Sequence, residues 1–394
     1  MTYNSCKFHE MPIPNAMLDQ LRAYVPERAL PRDFYTSPGY FEQELHALWY
    51  REWLFVGHEC ELANAGDYLT AAVGDYAILV VRDREGLLRA FHDTRRAVQG
   101  GGTELERTLS GLKPMHCAAV GGYVFICVAA KAPDFEAFAR AADPYLLPHR
   151  LRDAKVAFES TIIEHANWKL VWENNRECYH CAANHPELCR TFPATPTVIG
   201  LDAAAANLRM MAAWDRWEES GLPSRFELSP SGQSRLVRMP LIEGMVSFTL
   251  DGRAASRRPL SDAIAAADVG SLLLFHYPST WNHILGDHAT TFRVLPLGPT
   301  ETQLTTKWLV HKDAREGLDY EVSRLTQVWS ATNDEDRRVC QENQFGINSP
   351  VYEPGPYSPV HEAGVMQFVT WYQQHLIQHL TRDSTQPRVS SQPP

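Results

Sequence analysis

The chain has 394 residues and a net charge of −10, because 47 Asp and Glu outnumber 37 Lys and Arg. This length predicts two or three domains, and the acidic balance argues against binding along a phosphate backbone, which needs clustered cations. An eighteen-residue apolar run is lacking, and residues 1–14 have no signal-peptide core, so we expect neither a membrane span nor a secretory leader. Eight cysteines are too few for a disulfide scaffold. We therefore expect a cytoplasmic protein with a neutral or cationic small-molecule ligand and no nucleic-acid or membrane partner.

The first third of the chain predicts a helix followed by short β-strands. Residues 1–35 are irregular, whereas apolar residues recur at helical spacing from 38 to 53. From 54 to 130 the pattern changes to short apolar segments bounded by turns, and the clearest of these are 75–82, 87–92 and 122–127. The glycines at 100–102 indicate a turn or loop, since they open no strand–helix unit that could hold a phosphate.

From residue 154 onward the sequence predicts a mixture of strands and helices. We expect a strand over 155–165 and a helix that begins after the N-cap residue Asn167 and ends near Pro186. Alternating polar and apolar residues predict a strand at 303–310, and a long helix spans 320–345. After a turn-rich stretch and a last helix over 360–380, residues 382–394 are rich in Ser, Gln and Pro, which predicts a disordered tail.

The densest group of potential ligands lies between residues 173 and 187. On a helix, Glu177 and His180 would face the same way because they are three residues apart. His185 would point elsewhere on an ideal helix, but it precedes Pro186, where helical geometry is disfavoured. A loosened last turn would bring His185 back towards His180, so that two imidazoles could share one metal ion.

The predicted helix over 320–345 offers a third ligand. Its apolar face includes Leu325 and Trp329, and Asp336 falls within about 20° of both at the helical repeat. Asp334 falls on the opposite face. A carboxylate directed into the core is costly unless it is paired or binds a metal. Two histidines and one carboxylate form the facial triad of non-heme Fe(II) oxygenases.

Each of these observations also has a purely structural explanation. The histidines could be core residues satisfied by backbone carbonyls, and Asp336 could belong to a solvated run of charges. Cys178-x-x-Cys181 is half of a structural zinc site, but no second pair lies at zinc-finger distance, which favours buried thiols. Spacing alone does not decide between these alternatives.

Seven segments together resemble one enzyme family, the α-subunits of Rieske-type non-heme iron oxygenases. Within that family the sequence is most similar to glycine betaine monooxygenases and related demethylases of quaternary ammonium compounds. The segments are Asn167–Leu170, Glu177–His180, His185–Glu187, His276–His283, Thr306–Val310, Thr332–Arg337 and Tyr352–Ser358.

The resemblance implies an α+β fold, in which a small Rieske-like β domain precedes a catalytic domain with an antiparallel sheet wrapped around helices. In this sequence it implies four regions. They are an N-terminal segment and helix at 1–45, a degenerate Rieske-like domain at 46–130, a mononuclear iron domain at 131–381 and the tail at 382–394.

The resemblance also implies the chemistry of the site. It maps the Fe(II) ligands onto His180, His185 and Asp336, with O₂ as co-substrate. It maps the acidic residue that links an iron-bound histidine to the Rieske cluster of a neighbouring subunit onto Glu177, which we therefore expect to be catalytic. The family also implies a homo- or hetero-oligomer based on trimers.

The sequence departs from the family where the Rieske [2Fe–2S] cluster should bind. Two Cys-x-His pairs hold that cluster in the family. Here the first pair corresponds to Arg95 and Ala97, and the loop with the second pair is missing. His116-Cys117 is an adjacent couple whose side chains would point to opposite faces of a strand. We therefore expect no [2Fe–2S] cluster in this chain.

Three functions follow from a kept iron site and a lost cluster. The chain could be an oxygenase subunit that receives electrons from a Rieske-containing paralogue and a reductase. It could be a stand-alone Fe(II) oxidase that uses substrate electrons, or a non-catalytic binding or regulatory subunit. The expected substrate is a quaternary ammonium compound, whose cation would contact aromatic faces. The candidate aromatic residues are Phe248, Tyr277, Trp281 and Tyr357.

Overall fold

The computed structural model describes residues 15–94, 109, 111–193, 204–264 and 267–385. Arg95, Ala97 and the glycines at 100–102 lie outside the described residues, and so do residues 386–394 of the expected tail.

The N-terminal part forms a six-stranded antiparallel sheet. Its strand order is β1-β6-β5-β4-β3-β2, so the first and last strands of this part are neighbours. Three of its strands agree closely with the segments predicted at 75–82, 87–92 and 122–127. The strands are β1 (Leu54–His58), β2 (Tyr68–Val73), β3 (Tyr76–Arg82), β4 (Leu88–His92), β5 (Pro114–Val120) and β6 (Tyr123–Cys127).

The C-terminal part forms a seven-stranded antiparallel sheet with the order β7-β13-β12-β11-β10-β9-β8. The predicted strands over 155–165 and 303–310 are both present and pair with each other. The strands are β7 (Ala154–Glu164), β8 (Glu227–Leu228), β9 (Ser234–Met239), β10 (Ser271–His276), β11 (Thr280–Ile284), β12 (Ala289–Gly298) and β13 (Glu301–His311).

Nine α-helices are found in the described residues, together with a π-helical turn at Leu45–Trp49 that continues the third. None of them is long and apolar enough to cross a bilayer. They are α1 (Asn15–Ala23), α2 (Asp33–Thr36), α3 (Pro38–Glu44), α4 (Glu136–Leu146), α5 (Trp168–Asn175), α6 (Cys181–Asn184), α7 (Ala204–Glu219), α8 (Val322–Ile347) and α9 (Ala363–Thr385).

The register of the second sheet places one row of side chains beneath α8. Residues directly opposite each other in antiparallel strands point to the same face. The row is Arg235, Phe275, Trp281, Phe292 and Thr306, one residue each from β9 to β13. Helix α8 lies over this row, since Asn333 Nδ2 donates to Thr306 Oγ1 at 2.9 Å and the rings of Trp329 and Phe292 are 4.9 Å apart. The α+β fold with a sheet around helices is thus confirmed.

A fully buried ion pair joins α3, α5 and α9. Lys169 Nζ lies 2.6 Å from Glu44 Oε1, and both side chains are completely inaccessible to solvent. The same carboxylate accepts hydrogen bonds from Trp168 Nε1, at 2.8 Å, and from the Tyr372 hydroxyl. Helix α5 begins as predicted, because the Asn167 side chain accepts the Lys169 backbone N–H at 3.0 Å. The pair therefore fixes the helix that leads into the ligand cluster.

Candidate metal centre and substrate cavity

The ligand cluster lies in a break between two helices. Helix α5 ends at Asn175 and α6 begins at Cys181, so the expectation of one helix running to Pro186 is wrong. The carboxylate of Glu177 accepts the backbone N–H of Tyr179, and such a local bond competes with helix continuation. Glu177 and His180 nevertheless meet, because the second carboxylate oxygen of Glu177 bonds His180 Nδ1.

His185 turns back towards His180 at the end of α6. Its backbone, at φ −116° and ψ 67°, has left the helical region directly before Pro186, as expected from the proline. The two imidazole rings are 4.8 Å apart and nearly perpendicular. Both Nε2 atoms face one oxygen, Oδ1 of Asp336, at 3.2 Å from His180 and 3.0 Å from His185. The structure therefore brings the three predicted ligands together.

Helix α8 presents Asp336 as its phase predicted. Leu325 and Trp329 are buried on the same face, whereas Asp334 on the opposite face is exposed and pairs with Arg337 at 2.8 Å. The Asp336 side chain is 23% exposed and contacts both histidines, which favours a paired carboxylate over a member of a solvated run of charges.

Two residues that the sequence analysis missed complete the cluster. Glu335 Oε2 lies 2.8 Å from His185 Nδ1, and Asn174 Nδ2 donates to Asp336 Oδ1 at 2.7 Å. Their only signal in the sequence is that Glu335 precedes Asp336 and Asn174 comes shortly before Glu177. Each histidine thus has a carboxylate on Nδ1, which is how metal-binding histidines are usually oriented.

The donor set fits a single divalent ion. The carboxylates on both Nδ1 atoms hold the protons there, which leaves the two Nε2 lone pairs facing the anionic oxygen of Asp336. These three atoms would repel one another without a cation or extra protons between them. Two ligand atoms about 2.1 Å from one ion and at right angles lie about 3.0 Å apart, which is close to the observed separations. His180, His185 and Asp336 could therefore hold a mononuclear metal.

The charges within the cluster are strongly coupled. Burial opposes ionisation of Asp336, but hydrogen bonds with His180 and His185 prevail and lower its pKa to about 2. Burial likewise lowers the pKa of His180, yet the bonds to Asp336 and Glu177 outweigh it and raise that pKa to about 10. The cluster thus binds positive charge between its side chains, whether from protons or from a metal ion.

Cys178 and Cys181 form a thiol pair beside this centre. The Cys181 thiol donates to Cys178 Sγ at 2.8 Å, and Cys181 Sγ lies within 4.8 Å of ligand atoms of both histidines. This hydrogen bond is the largest cause that raises the pKa of Cys181, and burial adds to it. Because the thiolate is the form that binds metals, Cys181 is a weaker candidate ligand than Asp336.

A cleft that encloses about 950 Å³, including its mouth, opens onto the three candidate ligands. Trp281 lines it, as expected for a cation-binding aromatic residue. Tyr277 is fully buried behind the cleft, and Tyr357 instead donates to Glu173, at 3.3 Å. Phe248 packs on the rings of Phe192, His283 and Trp329. The other aromatic residues on the lining are Phe192, Phe275 and Trp329.

A family model of the ring-hydroxylating α-subunit catalytic domain matches residues 151–378, more than half of the chain. This chain belongs to that family. The family consists of the α-subunits of Rieske-type oxygenases, so the protein is a non-heme iron oxygenase subunit. The family uses mononuclear non-heme iron as its cofactor and O₂ as its co-substrate.

Curated relatives are similar in sequence to this protein along nearly the whole chain. A glycine betaine monooxygenase oxygenase subunit from Chromohalobacter salexigens is 40% identical over 413 aligned residues, which cover 94% of this chain and 91% of that protein. A subunit of the same name from Pseudomonas aeruginosa is 40% identical, with 96% of each protein covered.

Solved structures of Rieske oxygenases share the fold. The quaternary ammonium Rieske monooxygenase CntA, solved with an inhibitor, has a TM-score of 0.65 at 19% identity, over 93% of this chain and 99% of that one. Naphthalene 1,2-dioxygenase from a Rhodococcus species has a TM-score of 0.60 at 14% identity, with the same coverage.

Proposed function

We propose that this chain is an Fe(II) oxygenase subunit that oxidises a methyl group of a quaternary ammonium or N-methylated small molecule. The observation that carries the proposal is the convergence of His180, His185 and Asp336 at one end of an aromatic-lined cleft. When bound by these residues, Fe(II) would supply the activation of O₂. In the net reaction two electrons and two protons reduce one oxygen atom of O₂ to water, and the other oxygen atom is inserted into a methyl C–H bond. The C–N bond of the resulting hydroxymethyl group then breaks, which releases formaldehyde and, from a quaternary ammonium substrate, the tertiary amine and a proton.

The lining of the cleft supports an N-methylated cation. Trp281 and Trp329 both face the cleft, and tryptophan is the aromatic side chain that attracts cations most strongly. The relatives named above act on glycine betaine, and CntA is described as a quaternary ammonium monooxygenase. Release of formaldehyde from such a substrate, with a complete Rieske paralogue and reductase present, is the direct test of this activity.

We further propose that the chain has no Rieske cluster of its own. The alignment with the Chromohalobacter relative extends over 413 positions, more than the 394 residues of this chain, so residues of that relative have no counterpart here. The adjacent residues His116 and Cys117 make other contacts. His116 Nε2 contacts the Ala130 carbonyl at 3.3 Å, and Cys117 packs against the hydrophobic core. These contacts are those of structural residues rather than of cluster ligands.

An absorption spectrum tests the absence of the cluster. After anaerobic reconstitution with iron and sulfide, we expect no intense visible bands from sulfide-to-iron charge transfer and about one mononuclear iron per chain. A complete Rieske oxygenase treated in parallel serves as the positive control. Two inorganic sulfides per chain would show that our interpretation of Arg95 and Ala97 is wrong.

An oxygenase subunit without a cluster needs electrons from another chain, and Glu177 is placed to link that chain to the candidate metal centre. Its carboxylate bonds His180 and is 14% exposed, and the neighbouring Tyr179 is 70% exposed. A partner subunit could therefore reach this carboxylate from the surface. In a stand-alone oxidase the same carboxylate would only orient His180, as Glu335 orients His185, so the two functions differ in whether Glu177 also contacts a partner chain.

Glu177→Gln should separate electron delivery from iron binding. We expect the variant to keep its iron, because His180, His185 and Asp336 are unchanged. If a partner chain supplies the electrons, steady-state turnover with reductase and Rieske paralogue should be blocked. A single turnover started by chemical reduction should be affected much less. In a stand-alone oxidase the variant should instead change iron affinity or rate by about 10–100-fold, with no dependence on a partner.

Glu335→Gln is the matched control, since Glu335 makes the same contact with the other histidine. It should change reductase-driven turnover and chemically started turnover by similar factors. Full steady-state activity of the purified single chain, without a second polypeptide, would eliminate the partner-supplied route and favour the stand-alone oxidase.

A further inference from the structure

Two buried arginines line the same cleft as the candidate metal ligands. Arg176 is 5% exposed and Arg235 is 7% exposed, and both border the cleft. Their guanidinium groups lie on one ring, that of Phe275, with the central carbons 4.4 Å and 5.1 Å from its centroid. An otherwise acidic protein thus concentrates two cations at one place inside its cavity.

Neither arginine forms an ion pair with a carboxylate in the part of the chain that the structure describes. Both Nε atoms are buried there without a hydrogen-bond partner, although Arg176 contacts the hydroxyl of Tyr277. Burial, followed by the charge of Arg176, lowers the pKa of Arg235. Two adjacent buried cations without counter-charge are costly, and an anion between them would relieve both the desolvation and the repulsion.

Arg238 shows how this fold treats a structural arginine. It lies three residues further along β9 and is completely buried. Its guanidinium donates to the Val269 carbonyl at 3.0 Å and contacts His149 Nε2 at 3.1 Å. The Nε atoms of Arg238 and Arg293 are also buried without a partner in the described residues, so Arg235 differs from Arg238 in lacking the guanidinium bonds to a carbonyl and a histidine.

Arg235 lies on the same face of the sheet as Trp281. Arg235, Phe275 and Trp281 are consecutive members of the cross-strand row, so Arg235 and Trp281 are two strand spacings, or about 10 Å, apart. Arg176 and the candidate metal ligand Asp336 line the same cleft. One cavity therefore contains the two arginines, the aromatic side chains and the candidate metal ligands.

We propose that Arg176 and Arg235 bind the carboxylate of a zwitterionic substrate whose N-methylated ammonium group faces Trp281 and the candidate metal ligands. The proposal rests on the function proposed above and narrows its substrate to compounds that carry both charges. A planar guanidinium can donate two parallel hydrogen bonds to a carboxylate, which gives orientation as well as affinity. Binding of the carboxylate by the arginines would fix the position of the methyl groups in the cavity that contains the candidate metal ligands.

Calorimetric titration of the purified chain tests the arginines through ligand binding, without turnover. We expect glycine betaine to bind at least about 10-fold more tightly than choline, which has the same cation but a hydroxyl in place of the carboxylate. Arg235→Met and Arg176→Met should each weaken glycine betaine binding by about 10- to 100-fold, so that the preference over choline collapses. Arg235→Lys keeps the charge but not the paired donors, so it should retain part of the preference for glycine betaine over choline.

Unfolding in urea distinguishes a ligand-binding role of Arg235 from a structural one. Without ligand, Arg235→Met should be at least as stable as the wild type, because it removes a buried charge without a counter-charge. Arg238→Met, the matched control on the same strand, should be destabilised because it loses its bonds to Val269 and His149. With saturating glycine betaine the wild type should gain stability and Arg235→Met should gain little.

The possible results are distinguishable. Equal affinity of the wild type for glycine betaine and choline, or an unchanged preference in both arginine variants, would overturn the carboxylate site and leave a quaternary ammonium substrate standing. Tighter binding of phosphocholine than of glycine betaine would also overturn it, since the anion would then be a phosphate. If neither quaternary ammonium compound binds, the proposed function fails, and this inference fails with it.

Discussion

His180→Ala is expected to abolish iron binding and with it all oxygenase activity. Two ligands would remain, His185 and Asp336, and the Nε2 that faces Asp336 Oδ1 at 3.2 Å would be lost. Removing only a hydrogen-bond partner of a metal ligand typically costs 10–100-fold in affinity, so loss of a ligand should cost more. Iron analysis after anaerobic loading and desalting should give about one iron per wild-type chain and almost none in the variant.

Two controls make this result specific. His165→Ala removes an exposed histidine that lies 3.8 Å from Glu301 and does not line the cleft, and it should leave the iron content unchanged. Cys181→Ser removes the thiol nearest the centre and should also keep iron, because Asp336 is the third ligand in our proposal. A His180→Ala protein that retains iron, or a Cys181→Ser protein that loses it, would contradict this ligand set.

Several parts of this site could be predicted because they depend on local spacing. The phase of Asp336 relative to Leu325 and Trp329 follows from the helical repeat and holds along α8, which has no break near it. The return of His185 follows from the proline after it. Both arguments need only a few neighbouring residues, and the family resemblance then supplied the chemistry.

The helix break at residues 176–180 could not be predicted in the same way. Periodicity gives no reason for Glu177 to turn its carboxylate onto the backbone N–H of Tyr179. The pairing of Glu177 with His180 was anticipated from helical spacing, yet it is made across a turn. The contact was therefore foreseen for the wrong geometric reason.

Contacts that depend on strand register could not be predicted from the sequence. Arg235 lies beside Phe275 because β9 and β10 pair in one particular register, across forty residues of sequence. A shift of one residue would move Arg235 to the other face of the sheet. For the same reason, aromatic content alone did not distinguish Trp281, which lines the cleft, from Tyr277, which packs behind it.

Lys169→Met is expected to cause the largest loss of stability among single changes outside the cleft. The ammonium group lies 2.6 Å from Glu44 Oε1 with no access to solvent, and the rings of Trp168 and Tyr372 are 5.1 Å and 5.4 Å away. Removing one partner leaves the Glu44 carboxylate buried without its counter-charge. Breaking such a pair costs about 3–5 kcal/mol, which we expect as a lower urea midpoint of unfolding.

Two further variants decide whether the charge itself is responsible. Arg216→Met removes an exposed ion pair with Asp268, 3.0 Å long, and should cost less than about 1 kcal/mol. The double variant Glu44→Gln with Lys169→Met should recover part of the loss, because no unpaired charge remains in the interior. If Lys169→Met unfolds at the same urea concentration as Arg216→Met, the pair does not stabilise the junction of α3, α5 and α9. If the double variant is instead no more stable than Lys169→Met alone, the loss comes from packing around the Lys169 side chain rather than from the uncompensated carboxylate.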